Sequence, residues 1–194
     1  MPELGLQQAW EALAVVLAVA YLVLAIRQNI WCWAAAAVSA SLYLVILFDS
    51  KLYLQSALQL YYLAMAGYGW YHWRRPSDQA NELPVTRWPL RNHVIAIGIV
   101  LLLVVISSQL MVRYSDAPLP HLDSFTTWGA VVTTFMVARK VLENWIYWFV
   151  IDVVSIFMFL SRDLYFTTAL FVGYLVMIVI GYRSWRASMN QDPA

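Results

Sequence analysis

Arg139 to Asp163 reads RKVLENWIYWFVIDVVSIFMFLSRD, an apolar run bracketed by charge at both ends with a single acid, Asp152, inside it. A run of this length and composition predicts a helix that crosses a bilayer. At 100° per residue, Trp145, Trp148 and Asp152 fall at relative angles of about 0°, −60° and −20°, one narrow stripe of that helix. An aspartate in mid-span costs about 2.5 to 3.5 kcal/mol on an insertion scale, so it is expected to face protein or water rather than lipid. A carboxylate beside two indoles suits a flat cation, because aromatic faces attract cations by about 0.5 to 2 kcal/mol each when desolvated.

The rest of the chain fits that reading. Of the 194 residues 62% are hydrophobic and 12% charged, and mean hydropathy is +0.65, far too apolar for a soluble domain of this length. A net charge of +1 without a basic run offers nothing to a phosphate backbone, so no nucleic-acid partner is expected. One cysteine, Cys32, excludes an internal disulfide and a cysteine-based metal site. The first apolar run lacks the basic flank and small-residue cleavage site of a removable signal peptide and is read as a retained span.

Seven segments, at 9–26, 30–48, 52–73, 92–112, 123–138, 144–161 and 164–182, are expected to span the membrane, making 1–194 one all-α transmembrane domain. Short links at Arg27 to Asn29, Asp49 to Lys51 and Arg162 to Asp163 make the helices they join antiparallel neighbours. All seven prolines are placed in loops or at the chain ends, which argues against an ion-coordinating broken-helix carrier. If the odd-numbered loops share a face, Arg27, Arg74, Arg75, Arg87, Arg91, Arg139, Lys140, Arg183 and Arg186 lie there. Only Lys51, Arg113 and Arg162 lie opposite, which predicts an external N-terminus and a cytoplasmic C-terminus.

A shift of 112 residues pairs Arg27 with Arg139, Trp33 with Trp145, Tyr62 with Tyr174, Gly69 with Gly181, Trp73 with Trp185 and Arg74 with Arg186, without a gap. It also pairs Glu11 with Asp123 and Leu52-Tyr53 with Leu164-Tyr165. Aromatic, glycine and arginine matches in one register mark an internal duplication, with three-helix repeats at 10–75 and 122–187. The segment 92–112, which contains no Trp, Tyr, Phe, Asp or Glu, reads as the helix that restores orientation between them. That is a parallel 3+1+3 arrangement, for which a binding site near the midplane between the halves is expected.

The third span offers a second polar face. Gln59, Tyr62, Ala66, Trp70 and Trp73 lie within about 90° of each other on a helical wheel. Gln59 brings a donor and an acceptor to mid-membrane depth and Tyr62 a hydroxyl. Each reading has a plainer counterpart: an interfacial tryptophan belt for Trp145, helix-to-helix hydrogen bonding for Asp152 and Gln59. Ser39, Ser41, Thr167 and Thr168 are weaker candidates that suit packing or back-bonding, and Tyr174 enters as the repeat mate of Tyr62. His72, His93 and His121 have no second histidine at ligand spacing, so no metal is expected. No GxxxxGK[ST], HExxH or GxSxG occurs, and no acid–base pair shares a face, so neither an ATPase nor an enzyme nor a cofactor is implied.

The stretch ENWIYWFVID followed by LY, with YGWYHW closing the first repeat and GYRSW the second, resembles the PnuC family of bacterial vitamin transporters from Trp10 to Trp185. The resemblance implies a fold similar to the SWEET sugar transporters and facilitated diffusion across the bacterial inner membrane without ATP. It also implies a homotrimer and retention of the entering vitamin by a cytoplasmic kinase. The family's W-x-x-W-x-x-x-N pattern lands on Trp145, Trp148 and Asp152, where an aspartate replaces the asparagine, and its third-helix glutamine lands on Gln59. A small cationic vitamin is therefore the expected substrate: nicotinamide riboside first, or thiamine, as in the related PnuT carriers. The alternative of another class is a membrane assembly subunit that transports nothing.

Overall fold

A computed structural model describes residues 2–49, 53–74, 83–114, 119–161, 163 and 165–191, with the side chains of 2–12, 14, 47, 49, 53–57, 166 and 191 left aside. Lys51, Arg75, Arg162, Leu52 and Leu164, and the side chains of Glu11 and Tyr53, which the charge and repeat arguments use, lie outside the described residues. Among these residues the chain forms seven α-helices: α1 (Pro2–Ile26), α2 (Trp31–Asp49), α3 (Tyr53–Arg74), α4 (Leu90–Tyr114), α5 (Pro120–Ala138), α6 (Asn144–Leu160) and α7 (Tyr165–Gln191). No strand is described; one isolated parallel bridge joins Thr86 to Val141.

The helices fall into two compact units, Met1–Pro84 and Val85–Ala194. In the first, α2 packs on both α1 and α3. In the second, α4 packs on α5, α5 on α6 and α6 on α7. Trp33, Cys32, Ala25, Ala66 and Trp73 make the core of the first unit; Met136, Leu142, Trp145, Ile178 and Trp185 make that of the second.

The duplication recurs bond for bond. In the first unit Arg27 N–H donates to Val23 O, Gln28 N–H to Ala25 O and Asn29 N–H to Leu24 O; in the second Arg139 donates to Phe135, Lys140 to Val137 and Val141 to Met136. The last two bonds of each set close a helix end in which one residue adopts left-handed backbone geometry. Gln28 (φ 54°) and Lys140 (φ 49°) are those residues, 112 positions apart. Just beyond each turn a tryptophan is buried: Trp33 meets Trp73 edge-on at 5.5 Å and 87°, and Trp145 meets Trp185 at 5.4 Å and 89°.

Two expectations need correction. Pro120 opens α5 instead of lying in a loop. Proline suits a first helical turn because the N–H it lacks has no partner there. The last helix runs to Gln191, beyond the expected 182, as the polar residues after Trp185 continue the helical turn.

Apolar length is uneven. Leu90–Tyr114 and Thr167–Asn190 are, among the described residues, the helices both long and apolar enough to cross a membrane, while Val15–Ile26, Trp31–Ile46 and Asn144–Leu160 are shorter apolar runs. Helix α5 is interrupted by hydroxyls that turn back on their own helix: Thr133 Oγ1 donates to Gly129 O at 2.7 Å and Thr134 Oγ1 to Ala130 O at 2.8 Å. Both threonines are buried, so their polar atoms are satisfied without water. The outward face of α4 is the reverse case, with Val94, Leu101, Leu102, Val105, Leu110 and Val112 all exposed. Such a face suits lipid, which replaces the protein core as its solvent.

Candidate functional site

Helix α6 starts directly from the turn that follows α5. Asn144 N–H donates to Val141 O and Trp145 N–H to Leu142 O, so the turn's carbonyls take donors that a helix start leaves unpaired. From there the two neighbours of α6 fix its rotation. Ile151 faces α5, where a methyl group added at Gly129 would sit 3.1 Å from it. Trp145 faces α7, where a methyl group added at Gly181 would sit 2.5 Å from its ring.

Between those directions lies the stripe seen in the sequence. Relative to Trp145, Ile151 is at about −120°, so Trp148 at about −60° and Asp152 at about −20° project into the angle between α5 and α7. Those two helices each pack on α6 and not on each other among the described residues. Helix α6 is thus flanked by α5 and α7, with Trp148 and Asp152 on the arc of its surface between them. Asp152 is only 5% exposed, and no described residue donates a hydrogen bond to its carboxylate. Burying a carboxylate without a donor is costly, and the usual resolution is a partner, a proton or a ligand. Ser155, buried nearby on the same arc, does not supply the partner, because its Oγ donates to Ile151 O at 2.9 Å.

Trp145 differs from the expectation of a stacking surface. Its ring is covered by Gly181 and by the edge-on Trp185, and it is 2% exposed. What remains is its indole N–H, which has no hydrogen-bond partner among the described residues, as is also true of its repeat mate Trp33. Trp148, the other indole of the stripe, is half-buried, while Phe149 and Phe157 are the exposed rings of α6.

In the first unit, Gln59 and Tyr62 are both half-buried on α3, and Tyr62 packs edge-on against Tyr61 at 5.6 Å. No described residue is hydrogen-bonded to the Gln59 amide. Trp70 turns to Trp31 at the start of α2, 5.4 Å away and nearly perpendicular. Ser39 is buried, and Ser41 is exposed with its Oγ bonded to Ala37 O at 2.8 Å. On α7, Thr168 is buried, Thr167 half-buried, and Tyr174 packs on Phe171 at 5.4 Å. Among the described residues no three of His, Cys, Asp and Glu gather as metal ligands would.

Sequence reading missed a cluster at the first turn of α6. His93 Nδ1 lies 2.9 Å from Tyr147 Oη, Trp88 packs on His93 at 5.7 Å, and Glu143 Oε2 accepts from Trp88 N–H at 3.3 Å. These contacts join the segment before α4 and the first turn of α4 to the start of α6, more than fifty residues away, and no local spacing announces them.

Known proteins match this chain along most of its length. It is 26% identical over 178 residues to the riboflavin/roseoflavin transporter RibM of Streptomyces davaonensis, covering 88% of this chain and 81% of that protein. It is 26% identical over 182 residues to the nicotinamide riboside transporter PnuC of Escherichia coli, covering 79% and 75% respectively. A crystal structure of the vitamin B3 transporter PnuC superposes with a TM-score of 0.74 at 20% identity, over 98% of this chain and 89% of that one, which establishes the shared fold. Residues 8–187 match the family described as nicotinamide mononucleotide transporter, and the chain, a multi-pass membrane protein, belongs to that family.

Proposed function

We propose that the protein is a uniporter that carries nicotinamide riboside across the bacterial inner membrane by facilitated diffusion. The observation that carries this reading is Asp152, buried at 5% exposure and unmatched by any described donor, one helical turn from the half-buried ring of Trp148. A pyridinium is a flat cation. It gains from stacking on an indole and from a nearby carboxylate, whereas a neutral heterocycle gains only from stacking. Trp148 offers its face to the ring, Asp152 balances the charge or binds ribose hydroxyls, and Trp145 contributes its indole N–H. Gln59 and Tyr62 are the polar groups of the first repeat, with Ser39, Thr167, Thr168, Tyr174 and Trp70 as lesser contributors.

The relative that transports riboflavin and roseoflavin supports a second reading, a flavin substrate, whose larger uncharged ring makes less use of Asp152. Thiamine, also a flat cation, fits the same carboxylate and is the third compound to test. The excess of basic residues on the odd-numbered loops supports an external N-terminus and a cytoplasmic C-terminus. Repeats at 10–75 and 122–187 around a linker at 92–112, a homotrimer, and coupling to a cytoplasmic vitamin kinase complete the proposal, the last two on family resemblance.

Purified protein in liposomes tests it. Saturable nicotinamide riboside uptake that needs neither ATP nor an ion gradient, and that falls at least about tenfold on joint replacement of Trp148 and Asp152 by alanine, is the expected result. Uptake that is unaffected by the double replacement would remove these residues from the site, and no saturable uptake of any vitamin would favour an assembly subunit.

A further inference from the structure

The two repeats start their middle helices differently. In the first, Asn29 Oδ1 accepts the N–H of Trp31 at 2.9 Å, a local side-chain bond that orders the turn before α2. The position 112 residues on is Val141, which has no side-chain acceptor to offer. There the ordering comes from elsewhere in the chain. Thr86 N–H donates to Lys140 O at 3.0 Å and Leu142 N–H donates to Thr86 O at 2.8 Å, so the segment before α4 pairs with the turn like a short strand. Val85 is buried beside it.

Side chains continue the pairing onto α6. Glu143 precedes the helix without capping it; its carboxylate instead accepts from Trp88 N–H at 3.3 Å and lies 3.9 Å from Arg87 Nε. One turn into α6, Tyr147 meets His93 of α4. The arginine contact is half-exposed, with Arg87 53% open, and contributes little. The bond from the Trp88 amide is the firmer link, because it ties a backbone N–H to a carboxyl group that is only 17% exposed.

We propose that Val85–Trp88 is a strap that positions α6 for substrate, with Glu143 and Tyr147 as positioning residues. The strap replaces the local side-chain bond that this repeat lacks, in the repeat whose middle helix carries Trp148 and Asp152. Its effect on substrate rests on the transport reading above, while the strap itself can be measured without any vitamin.

The test compares Glu143→Ala, Glu143→Gln and Tyr147→Phe in the full-length protein by amide hydrogen exchange at Thr86, Trp88 and Leu142, nicotinamide riboside titration and uptake. Glu143→Ala is expected to speed exchange at those amides and raise Kd about tenfold, with maximal uptake kept. Glu143→Gln keeps an oxygen for the Trp88 amide and is expected to stay near wild type in both. Tyr147→Phe removes only the His93 bond and shifts both readouts in the same direction, by less. Unchanged exchange in Glu143→Ala, or Glu143→Gln as impaired as Glu143→Ala, would overturn the strap. If the wild-type protein binds no vitamin, the transport reading fails, and the exchange comparison still decides the strap.

Discussion

The ring of Trp145 rests on Gly181, and Trp33 rests on Gly69 in the same way 112 residues earlier. Each glycine leaves room for an indole to pass between two helices, and each indole then meets a second tryptophan edge-on, Trp185 or Trp73. The matched contacts explain why glycine and tryptophan recur in register: the middle helix of each repeat seats on the third through one bulky ring and the gap made for it.

Gly181→Ala would put a methyl group 2.5 Å from the Trp145 ring. The ring is enclosed and has nowhere to retreat, so the substitution should destabilise the protein by about 1 to 3 kcal/mol. Gly69→Ala should do the same. Thermal unfolding in detergent checks both, and Gly173→Ala is the control, since nothing described lies within 4 Å of the methyl group it would add.

Gln28 and Lys140 hold left-handed backbone at matching helix ends, yet they should respond oppositely to glycine. Gln28 is half-buried, and Gln28→Gly relieves backbone strain worth about 1 kcal/mol, raising the unfolding temperature. Lys140 is 2% exposed, so Lys140→Gly gains the same relief but loses packed side-chain carbon and should be destabilising overall. Unfolding curves of the two single variants separate these signs.

Ser107 accepts a hydrogen bond from Trp128 Nε1 at 3.1 Å, joining α4 to α5. Ser107→Ala leaves that part-buried N–H unmatched and should cost about 1 to 3 kcal/mol. Trp128→Phe in the same chain removes the stranded donor, so the double variant should lose less than the sum of the two single ones. Denaturation of all four proteins measures the coupling.

Much of the fold was legible because it is carried by residue types with strong rules. The 112-residue register of tryptophan, glycine and arginine pointed to the matched helix ends and buried indoles of the two units. The stripe of Trp148 and Asp152 followed from helical periodicity alone. What the sequence could not display depends on a third element. Covering of Trp145 needs Gly181 and Trp185 of α7 to be placed first, and the strap at Val85–Trp88 is built mainly from backbone N–H and C=O groups, which every residue but proline possesses. Pro120 was misplaced for a simpler reason: proline marks loops and first helical turns alike.

Asp152 is the centre of the account, and calorimetric titration of purified wild-type protein and Asp152→Asn with nicotinamide riboside, riboflavin and thiamine tests it most directly. Nicotinamide riboside should bind the wild type most tightly, and Asp152→Asn should weaken it about tenfold by removing the charge while keeping the shape. Riboflavin binding more tightly than nicotinamide riboside, or an affinity for nicotinamide riboside that Asp152→Asn leaves unchanged, would contradict it.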